Sequence, residues 1–382
     1  MTAGLLLPSS STHPLIAHNF AEGIKSYLRL RQHSSPLTLV SGAIGFGTDR
    51  VVIEKEANRL ILEHQADVLV IFADYPVVSC LFPLIKALNK LLIVVNHAAK
   101  YPPSWEAQPN VIHHHLGNVL NCWLTGRQAA KETAAAAVVS SYYDGGYAIS
   151  HALSQSFMDK EGKIVFNFVG HQYKDQFNTQ PLVNFLAQQP QADALLAILS
   201  GELVPEFYDQ LKAQLSNRKL RLYASPVLLE ESLVGEQQMG NITVSGYTGW
   251  LQDLPHPENR IFCEAFRGDT FREPDSVAVL GWDTGLILKT IDEISAGGRI
   301  NGSTITQHPA LRHLQGAKEE MHLHAHTQHY ISPLYYLSDS ASGKTTVDHT
   351  LALEDVAGAF DEMIKQDIQG VFSEWLNTYL CS

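Results

Sequence analysis

A glycine-rich turn near the start of the chain is of a kind that can cradle a phosphate. The strand-like segment LTLV, at 37–40, leads into GAIGFG, at 42–47, and a helical pattern follows. There, backbone N–H groups and a helix N-terminus can hold an anion. A dinucleotide fingerprint has the order GxGxxG and opens the first strand–helix unit. Because this loop has the order GxxGxG and follows the second strand, the sequence disfavours a nucleotide site.

Histidines are frequent, at 18, and form two clusters. One cluster is His113–His115, and the other lies within HLHAHTQH at 322–329. In a strand, residues two apart share a face, so His322, His324 and His326 could converge on one ion. A solvated hairpin face gives the same pattern, since spacing alone does not set coordination geometry. We expect no metal site, and the metal-binding alternative for this segment stays open.

Ser79 ends the segment ADYPVVS and precedes a predicted helix. A hydroxyl and free N–H groups at a helix N-terminus suit a carboxylate, although an ordinary N-cap uses the same residue. The sequence has no GxSxG elbow, HExxH motif or P-loop. We therefore expect a protein that is not an enzyme and has no cofactor. A two-lobed α/β enzyme stays an alternative, because triads converge in space and not in sequence.

Strand and helix patterns alternate along the chain. The apolar runs ADVLVIFA and LLIVV read as buried strands, with a helix between them predicted from Ser79 to Asn89. Thr48 is the predicted N-cap of the helix DRVVIEKEANRLILEHQ, which comes before the first of these strands. The alternation restarts after Gly126 with the strand AAAVVSS. This order indicates parallel sheets built from strand–helix–strand units, in two successive halves.

Composition excludes several classes of protein. The chain has 382 residues, 45% of them hydrophobic, enough for two or three domains. A net charge of -12 would repel a nucleic-acid backbone, so we expect no nucleic-acid partner. The apolar runs are too short to span a bilayer. The four cysteines, Cys80, Cys122, Cys263 and Cys381, lack zinc spacing and are expected to be free thiols.

Several motifs occur in an order typical of one family. They are GLLLPSSSTHP, the spacing of Phe20–Gly23, ADVLVIFADYPVVS, SSYYDGGYAI and ENRIFCEAFRGDTFREPDSVAVLGWDTGLIL, the last with Trp282 in place of a usual tyrosine. In this order the chain resembles the type I periplasmic binding proteins, in particular the branched-chain amino-acid (leucine/isoleucine/valine) substrate-binding proteins of ABC transporters. The resemblance covers nearly the whole chain.

The resemblance implies an α/β fold of two Rossmann-like lobes, with parallel sheets flanked by helices and joined by a three-strand hinge. It assigns residues 1–120 plus 248–330 to an N-terminal lobe and residues 121–247 plus 331–382 to a C-terminal lobe. The ligand is expected in the cleft between them. Ligands of open α/β sheets bind beyond the carboxyl ends of the strands, so the turns that follow the strands are expected to line this cleft.

The resemblance also places ligand-binding residues in these turns: Tyr75, Ser79, Asn96, His97, Ala98, Tyr143, Gly201, Glu202 and Ser225. A buried zwitterion needs donors for its carboxylate and a partner for its ammonium group. Amino-acid binders often carry a glutamate where this chain has Val227, and Glu230 or Glu231 could replace it only if the loop is displaced. A branched-chain amino acid is thus no more favoured than another small carboxylate or polar metabolite.

The predicted function is that of an extracytoplasmic solute-binding protein of an ABC-type importer. It would close by hinge motion on a small amino acid or related carboxylate and deliver it to a membrane permease. The opening residues MTAGLLLPSS lack the basic and long apolar regions of a signal peptide. We expect a periplasmic or lipid-anchored location with the leader absent from this sequence, or a cytoplasmic one if no leader exists upstream. The alternative is a cytoplasmic ligand sensor of the same fold.

Overall fold

The computed structural model describes residues 1–31, 37–230, 239–295, 298, 300–339, 345–366 and 368. Its strands are β1 (Thr2–Leu7), β2 (Thr38–Ala43), β3 (Val68–Phe72), β4 (Leu91–Asn96), β5 (Val111–His115), β6 (Ala135–Ser141), β7 (Lys163–Gly170), β8 (Ala194–Ile198), β9 (Leu220–Ala224), β10 (Ile242–Thr248), β11 (His313–Gly316), β12 (Glu319–Leu323), β13 (Tyr330–Ile331), β14 (Leu334–Asp339) and β15 (Thr345–Leu351). Its α-helices are α1 (Ile16–Leu30), α2 (Arg50–Leu62), α3 (Phe82–Leu88), α4 (Asn118–Glu132), α5 (Ala148–Met158), α6 (Gln180–Gln188), α7 (Leu203–Leu215), α8 (Pro257–Thr270), α9 (Ser276–Ser295), α10 (Gly302–Ile305) and α11 (Leu353–Met363).

The first sheet has five parallel strands in the order β2-β1-β3-β4-β5. Every residue of β3, β4 and β5 is buried, as expected for strands of a parallel sheet that is covered on both faces. All five strands therefore end at the same edge, and the loops that follow Phe72, Asn96 and His115 lie side by side.

The second sheet has seven strands in the order β15-β14-β10-β9-β8-β6-β7. Strands β7, β6, β8, β9 and β10 run parallel to one another. Strand β14 is antiparallel to β10, and β15 is antiparallel to β14, so the two extend the sheet as a hairpin. A small third sheet contains β11, β12 and β13, and a single bridge between His113 and His329 connects it to β5. The fold is thus the predicted pair of α/β lobes.

The chain passes between the two large lobes three times, as predicted for a three-strand hinge. The connections run from β5 to α4, from β10 to α8 and from β13 to β14. Helix α9, beyond the second connection, crosses α1 at Gly23 and Gly281, where a Cβ on either glycine would collide with the backbone of the other helix. This contact fixes α9 to the first lobe. The exact lobe bounds given above stay a prediction.

Two local predictions were wrong, and both concern helix starts. Asp49, and not Thr48, is the N-cap of α2, because its carboxylate accepts hydrogen bonds from the N–H groups of Val51 and Val52. Ser79 does not open α3. It lies inside a 3-10 turn, Val77–Leu81, and the α-helix begins only at Phe82.

The described cysteines Cys80, Cys122 and Cys263 are free, as predicted, and Cys381 lies outside the described residues. Among the helices that the structure describes, none combines the length and the apolar character needed to cross a bilayer.

Candidate functional site

Two cavities lie where the carboxyl edge of the first sheet meets the connections between the lobes. The larger, here called the hinge cavity, encloses about 740 Å³, counting its part open to solvent. Its polar lining is Asp74, Tyr75, Asn96, Lys100, His113, His115, Lys318, His329 and Ser332. Its apolar lining includes Trp105, Leu116, Val119, Leu120, Tyr330, Ile331, Leu334, Val356, Phe360 and Met363.

The alternation of β5 places two of its three histidines at the hinge cavity. His113 and His115 line the cavity, whereas His114 faces the opposite side of the sheet, edge-on to Tyr330. The His113 ring stacks on the His329 ring with centroids 4.1 Å apart and also on the Tyr75 ring, whose hydroxyl lies 3.2 Å from His113 Nε2. These aromatic rings form a continuous stack along one wall.

Burial keeps these imidazoles uncharged. Desolvation lowers the pKa of His113 and His115 well below the usual value, and repulsion from His329 lowers both further. Desolvation also lowers the pKa of His329 to about 4, although its hydrogen bond to the Thr327 carbonyl opposes the shift. At neutral pH the stack is therefore an aromatic surface with hydrogen-bonding nitrogens and no charge.

Lys318 brings a buried positive charge to the same cavity. Its side chain is almost fully buried, and Nζ donates a hydrogen bond to the His115 carbonyl over 2.8 Å. Burial lowers the pKa of Lys318 to about 8, while the Asp283 carboxylate opposes this shift. Asp283 Oδ1 also accepts a hydrogen bond from the Ala317 N–H, which holds the turn that carries the lysine. The ammonium group is thus mostly charged at neutral pH.

Two buried polar atoms at the hinge cavity have no hydrogen-bond partner among the described residues. They are His115 Nδ1 and Ser332 Oγ, on side chains that are each 8% exposed. A buried polar atom left without a partner costs about 1–3 kcal/mol. Both atoms are therefore positions where a bound molecule would supply a missing hydrogen bond.

The second cavity, of about 500 Å³ with its open part, lies on the other side of Leu116. Glu230, in the loop after β9, lines it, and both carboxylate oxygens accept hydrogen bonds from Ser276, from its N–H over 3.0 Å and its hydroxyl over 2.9 Å. Asn118 also lines this cavity, and its Oδ1 is buried with no partner in the described part of the chain. Glu230 thus ties the second lobe to the N-terminus of α9 in the first.

Four of the predicted ligand residues line these cavities. Tyr75, Asn96 and Ala98 line the hinge cavity, and His97 lines the second one. The Asn96 side chain donates to the Ala73 carbonyl and accepts from the Ala98 N–H, so it shapes the turn between the lobes. Burial lowers the pKa of His97 to about 3, so its imidazole is neutral.

The other predicted residues line neither cavity. The Ser79 hydroxyl donates to the Pro76 carbonyl over 2.6 Å, and Glu202 is exposed at the start of α7. Tyr143 is half-buried beside a 3-10 turn, edge-on to Tyr142. A role in ligand binding for these residues stays a prediction.

Two further predicted residues lie where the lobes meet or close to a cavity wall. Gly201 has a φ of +58° and approaches Thr12 so closely that an added Cβ would lie 3.3 Å from the Thr12 Cβ. Ser225 is fully buried, precedes the cavity-lining Pro226, and its Oγ has no partner in the described ranges. Gly201 therefore marks a contact between strand-end loops of the two lobes. The roles of Gly201 and Ser225 in ligand binding also stay predictions.

The histidines of the third sheet do not converge as the metal hypothesis required. His322 lies in β12 and pairs with His313, whereas His324 and His326 follow the strand in a turn. His324 Nε2 lies 3.2 Å from an Asp361 carboxylate oxygen. Within the ranges that the structure describes, no group of three or more His, Cys, Asp or Glu could hold a metal.

Sequence reasoning missed Lys318 and Ser332 as site residues. Lys318 lies in the turn between β11 and β12, far along the chain from the β5 carbonyl it contacts. The run His113–His115 was the available signal, but the sequence analysis assigned it no role. A strand of buried histidines at a sheet edge also indicates a cavity with hydrogen-bonding walls.

Several known proteins have a similar fold. No curated protein gives a significant sequence match. A solute-binding protein of an ABC transporter from R. palustris, solved in complex with benzoate, is 20% identical, with a TM-score of 0.73 over 93% of this chain and 98% of that one. An ABC transporter substrate-binding protein from Sphaerobacter thermophilus is 15% identical, with a TM-score of 0.76 over 93% and 98%.

A branched-chain amino acid transporter substrate-binding protein from Streptococcus pneumoniae, in complex with isoleucine, is 12% identical, with a TM-score of 0.66 over 92% and 98% of the two chains. At these identities the structures establish a shared fold. The family model described as "Periplasmic binding protein" matches residues 46–318, well over half of the chain. The chain belongs to the periplasmic binding protein family.

Proposed function

We propose that this protein is the extracytoplasmic solute-binding component of an ABC-type importer, and that it closes on a small carboxylate or amino acid between its lobes. The single observation that carries the proposal is the shared lining of the cavities. The hinge cavity takes Asn96 from the first lobe, Val119 and Phe360 from helices that pack with the second, and Leu116 from a connection. Similar folds bind benzoate and isoleucine, which supports this ligand class.

Closure follows from a ligand that contacts both lobes. Such a ligand binds the closed arrangement more tightly than the open one and shifts the population towards it. The contacts of Gly201 with Thr12 and of Glu230 with Ser276 support a closed arrangement of this chain. Binding without turnover is part of the proposal, and the ligand would leave unchanged.

The test is a ligand screen with three readouts on the same protein. A thermal-shift panel of amino acids, aliphatic carboxylates and aromatic carboxylates should contain compounds that raise Tm, because a ligand of the native state stabilises it by mass action. Small-angle scattering should show a smaller radius of gyration with the hit. Mass spectrometry after long incubation should recover the hit intact. Absence of any hit, or a hit that is chemically converted, would contradict the proposal.

The turn residues predicted from the sequence define a second experiment. Replacing Tyr143 or Ser79 by alanine tests these turns directly: calorimetry on the hit from the screen should show weaker binding only if the ligand contacts the turns outside the two cavities. Equal losses of affinity and of Tm would mark these residues as structural. Fractionation of cells that express the whole gene from its natural start tests the extracytoplasmic location.

A further inference from the structure

We propose that the hinge cavity is the ligand site of this protein and that it takes a monocarboxylate with an aromatic or other apolar body, anchored by Lys318. The inference rests on the proposed function and narrows it, since it selects one ligand class and one location. It keeps Tyr75, Asn96 and Ala98 of the predicted turns and adds the connections between the lobes.

The charges that line the hinge cavity favour an anion. The lining contains two ammonium groups, Lys100 and Lys318, and one carboxylate, Asp74. The histidines of the lining add no charge, because burial keeps them neutral. The described lining itself therefore has a formal charge of one positive unit, which Asp283 of α9, outside the lining, offsets in part because it faces Lys318.

Lys318 is the group best suited to hold the carboxylate. An ammonium group has three N–H donors, and the described contacts use one of them, on the His115 carbonyl. A charge-assisted bond from a buried ammonium to a carboxylate is stronger than a bond between neutral groups. The unpartnered Ser332 Oγ and His115 Nδ1 in the same lining can bind further polar atoms of the ligand.

The ammonium group of an amino acid would find no free carboxylate among the described residues that line this cavity. Asp74 is the acidic side chain of the lining, and it already has a partner within the protein. Burying an ammonium group without an anionic partner is unfavourable by several kcal/mol in general. The cavity thus discriminates against amino acids and in favour of simple carboxylates.

The aromatic part of the lining selects the body of the ligand. Trp105 packs edge-on against Phe360 with ring centroids 5.5 Å apart, and both rings lie next to His329, at 5.5 and 6.1 Å. Rings at these distances offer the offset and edge contacts that a planar or compact apolar body can extend. These rings and the polar groups line the same cavity.

The position of the cavity links binding to closure. Each of the three connections between the lobes contributes a lining residue: Leu116, Gly249 and Ser332. Phe360 adds a contact from α11, which packs on α4. A ligand here touches the segments whose backbone angles must change when the lobes move, so occupancy of the cavity and the lobe angle are coupled.

The test uses defined probes on the full chain by calorimetry at pH 7. The probes are benzoate and cyclohexanecarboxylate, the uncharged benzamide and benzyl alcohol, and L-isoleucine. We expect both carboxylates to bind at least tenfold more tightly than their uncharged analogues and L-isoleucine. Lys318→Met should lower the affinity for benzoate at least tenfold and change the affinity for benzyl alcohol less than twofold. Lys131→Met, at an exposed site on α4, is the matched control and should change neither.

A second variant protects the test against misfolding of Lys318→Met. Val356→Phe fills the cavity from α11 without altering its charge, and it should weaken benzoate at least tenfold in a protein of unchanged circular dichroism. Equal affinity of benzoate for both variants and the parent overturns the inference. Binding of L-isoleucine alone, lost in Tyr143→Ala and kept in Lys318→Met, overturns the inference but leaves the solute-binding function standing. No binding in this panel or in the wider screen overturns the proposed function itself.

Discussion

The hinge cavity and the second cavity share Leu116 as a common wall, yet they use their buried charges differently. In the second cavity both oxygens of Glu230 accept hydrogen bonds from Ser276. In the hinge cavity Lys318 donates one hydrogen bond, to a carbonyl, among the contacts that the structure describes. The carboxylate thus accepts hydrogen bonds from a helix N-terminus and a hydroxyl, while the ammonium group uses one of its three donors in the described contacts. A charged residue in a cavity indicates a binding site only when its hydrogen bonds are incomplete.

The same comparison assigns different tasks to the two regions. Glu230 joins the loop after β9 to the start of α9, and a carboxylate at a helix N-terminus is stabilised by the helix dipole. We interpret this contact as a latch between the lobes. The hinge cavity, in contrast, has Ser332 Oγ and His115 Nδ1, which lack a hydrogen-bond partner among the described residues.

The largest effect is expected from removing the partner of the buried lysine. Asp283→Ala leaves the Lys318 charge uncompensated in the protein interior, which should lower the free energy of unfolding by about 3–5 kcal/mol. Urea denaturation followed by circular dichroism measures the loss. Asp283→Asn preserves an acceptor for the Ala317 N–H but also removes the negative charge. It should therefore lower the free energy of unfolding by most of the same amount. Exposed Asp209→Ala is the neutral reference, and a loss as small as its own would refute the charge argument.

The next effect concerns the latch. Glu230→Ala removes both contacts with Ser276 and should favour the open arrangement, lowering the apparent affinity of the ligand by about tenfold, equivalent to about 1.4 kcal/mol. Small-angle scattering of the unliganded variant should give a larger radius of gyration than the parent. Ser276→Ala, which keeps the N–H donor, should give an intermediate value. An unchanged radius in both variants would show that this contact does not hold the lobes together.

The fold could be predicted from the sequence because its signals are local. Buried runs such as Val68–Phe72 and Leu91–Asn96 alternate with helical patterns, and this alternation alone indicates parallel sheets. The sequence order of the family motifs then supplied the two lobes and the three connections. The addition of the antiparallel hairpin of β14 and β15 to the second sheet was not predicted.

The candidate site could be predicted only in part because its contacts are distant in sequence. Lys318 and the carbonyl of His115 are separated by 203 residues, and no local pattern connects them. Ser79 misled the prediction for a related reason. Its hydroxyl bonds to the Pro76 carbonyl inside a 3-10 turn, a local alternative to capping that residue type alone does not reveal.

A smaller effect is expected from pH. Burial lowers the pKa of Lys318 to about 8, and it faces Asp283 of α9 and the neutral His114 and His115 of β5. A carboxylate needs the charged lysine, so between pH 7 and pH 8.5 the affinity for benzoate should fall about fourfold, in line with the charged fraction. Calorimetry across this range measures the slope.

The sign for stability is opposite to the sign for binding. The lysine has a lower pKa in the folded chain than in the unfolded one, so between about pH 8 and its ordinary value, 10.5, the unfolded state binds more protons. This group therefore makes the unliganded protein more stable as pH rises through that window. Lys318→Met should remove both the pH dependence of benzoate affinity and this pH dependence of stability. If the affinity of the variant still falls with pH, the titrating group is not Lys318.

The smallest effect is expected from two buried hydroxyls, one with a hydrogen-bond partner among the described residues and one without. Ser141 Oγ donates to the Asp144 carboxylate, whereas Ser225 Oγ has no partner among the described residues. Ser225→Ala removes an unsatisfied polar atom and should change the free energy of unfolding by less than about 0.5 kcal/mol, while Ser141→Ala should lower it by about 1–3 kcal/mol. Both are measured by urea denaturation without ligand. If Ser225→Ala is as destabilising as Ser141→Ala, its hydroxyl has a partner in solution, and a buried polar atom without a described partner is then not evidence for a ligand.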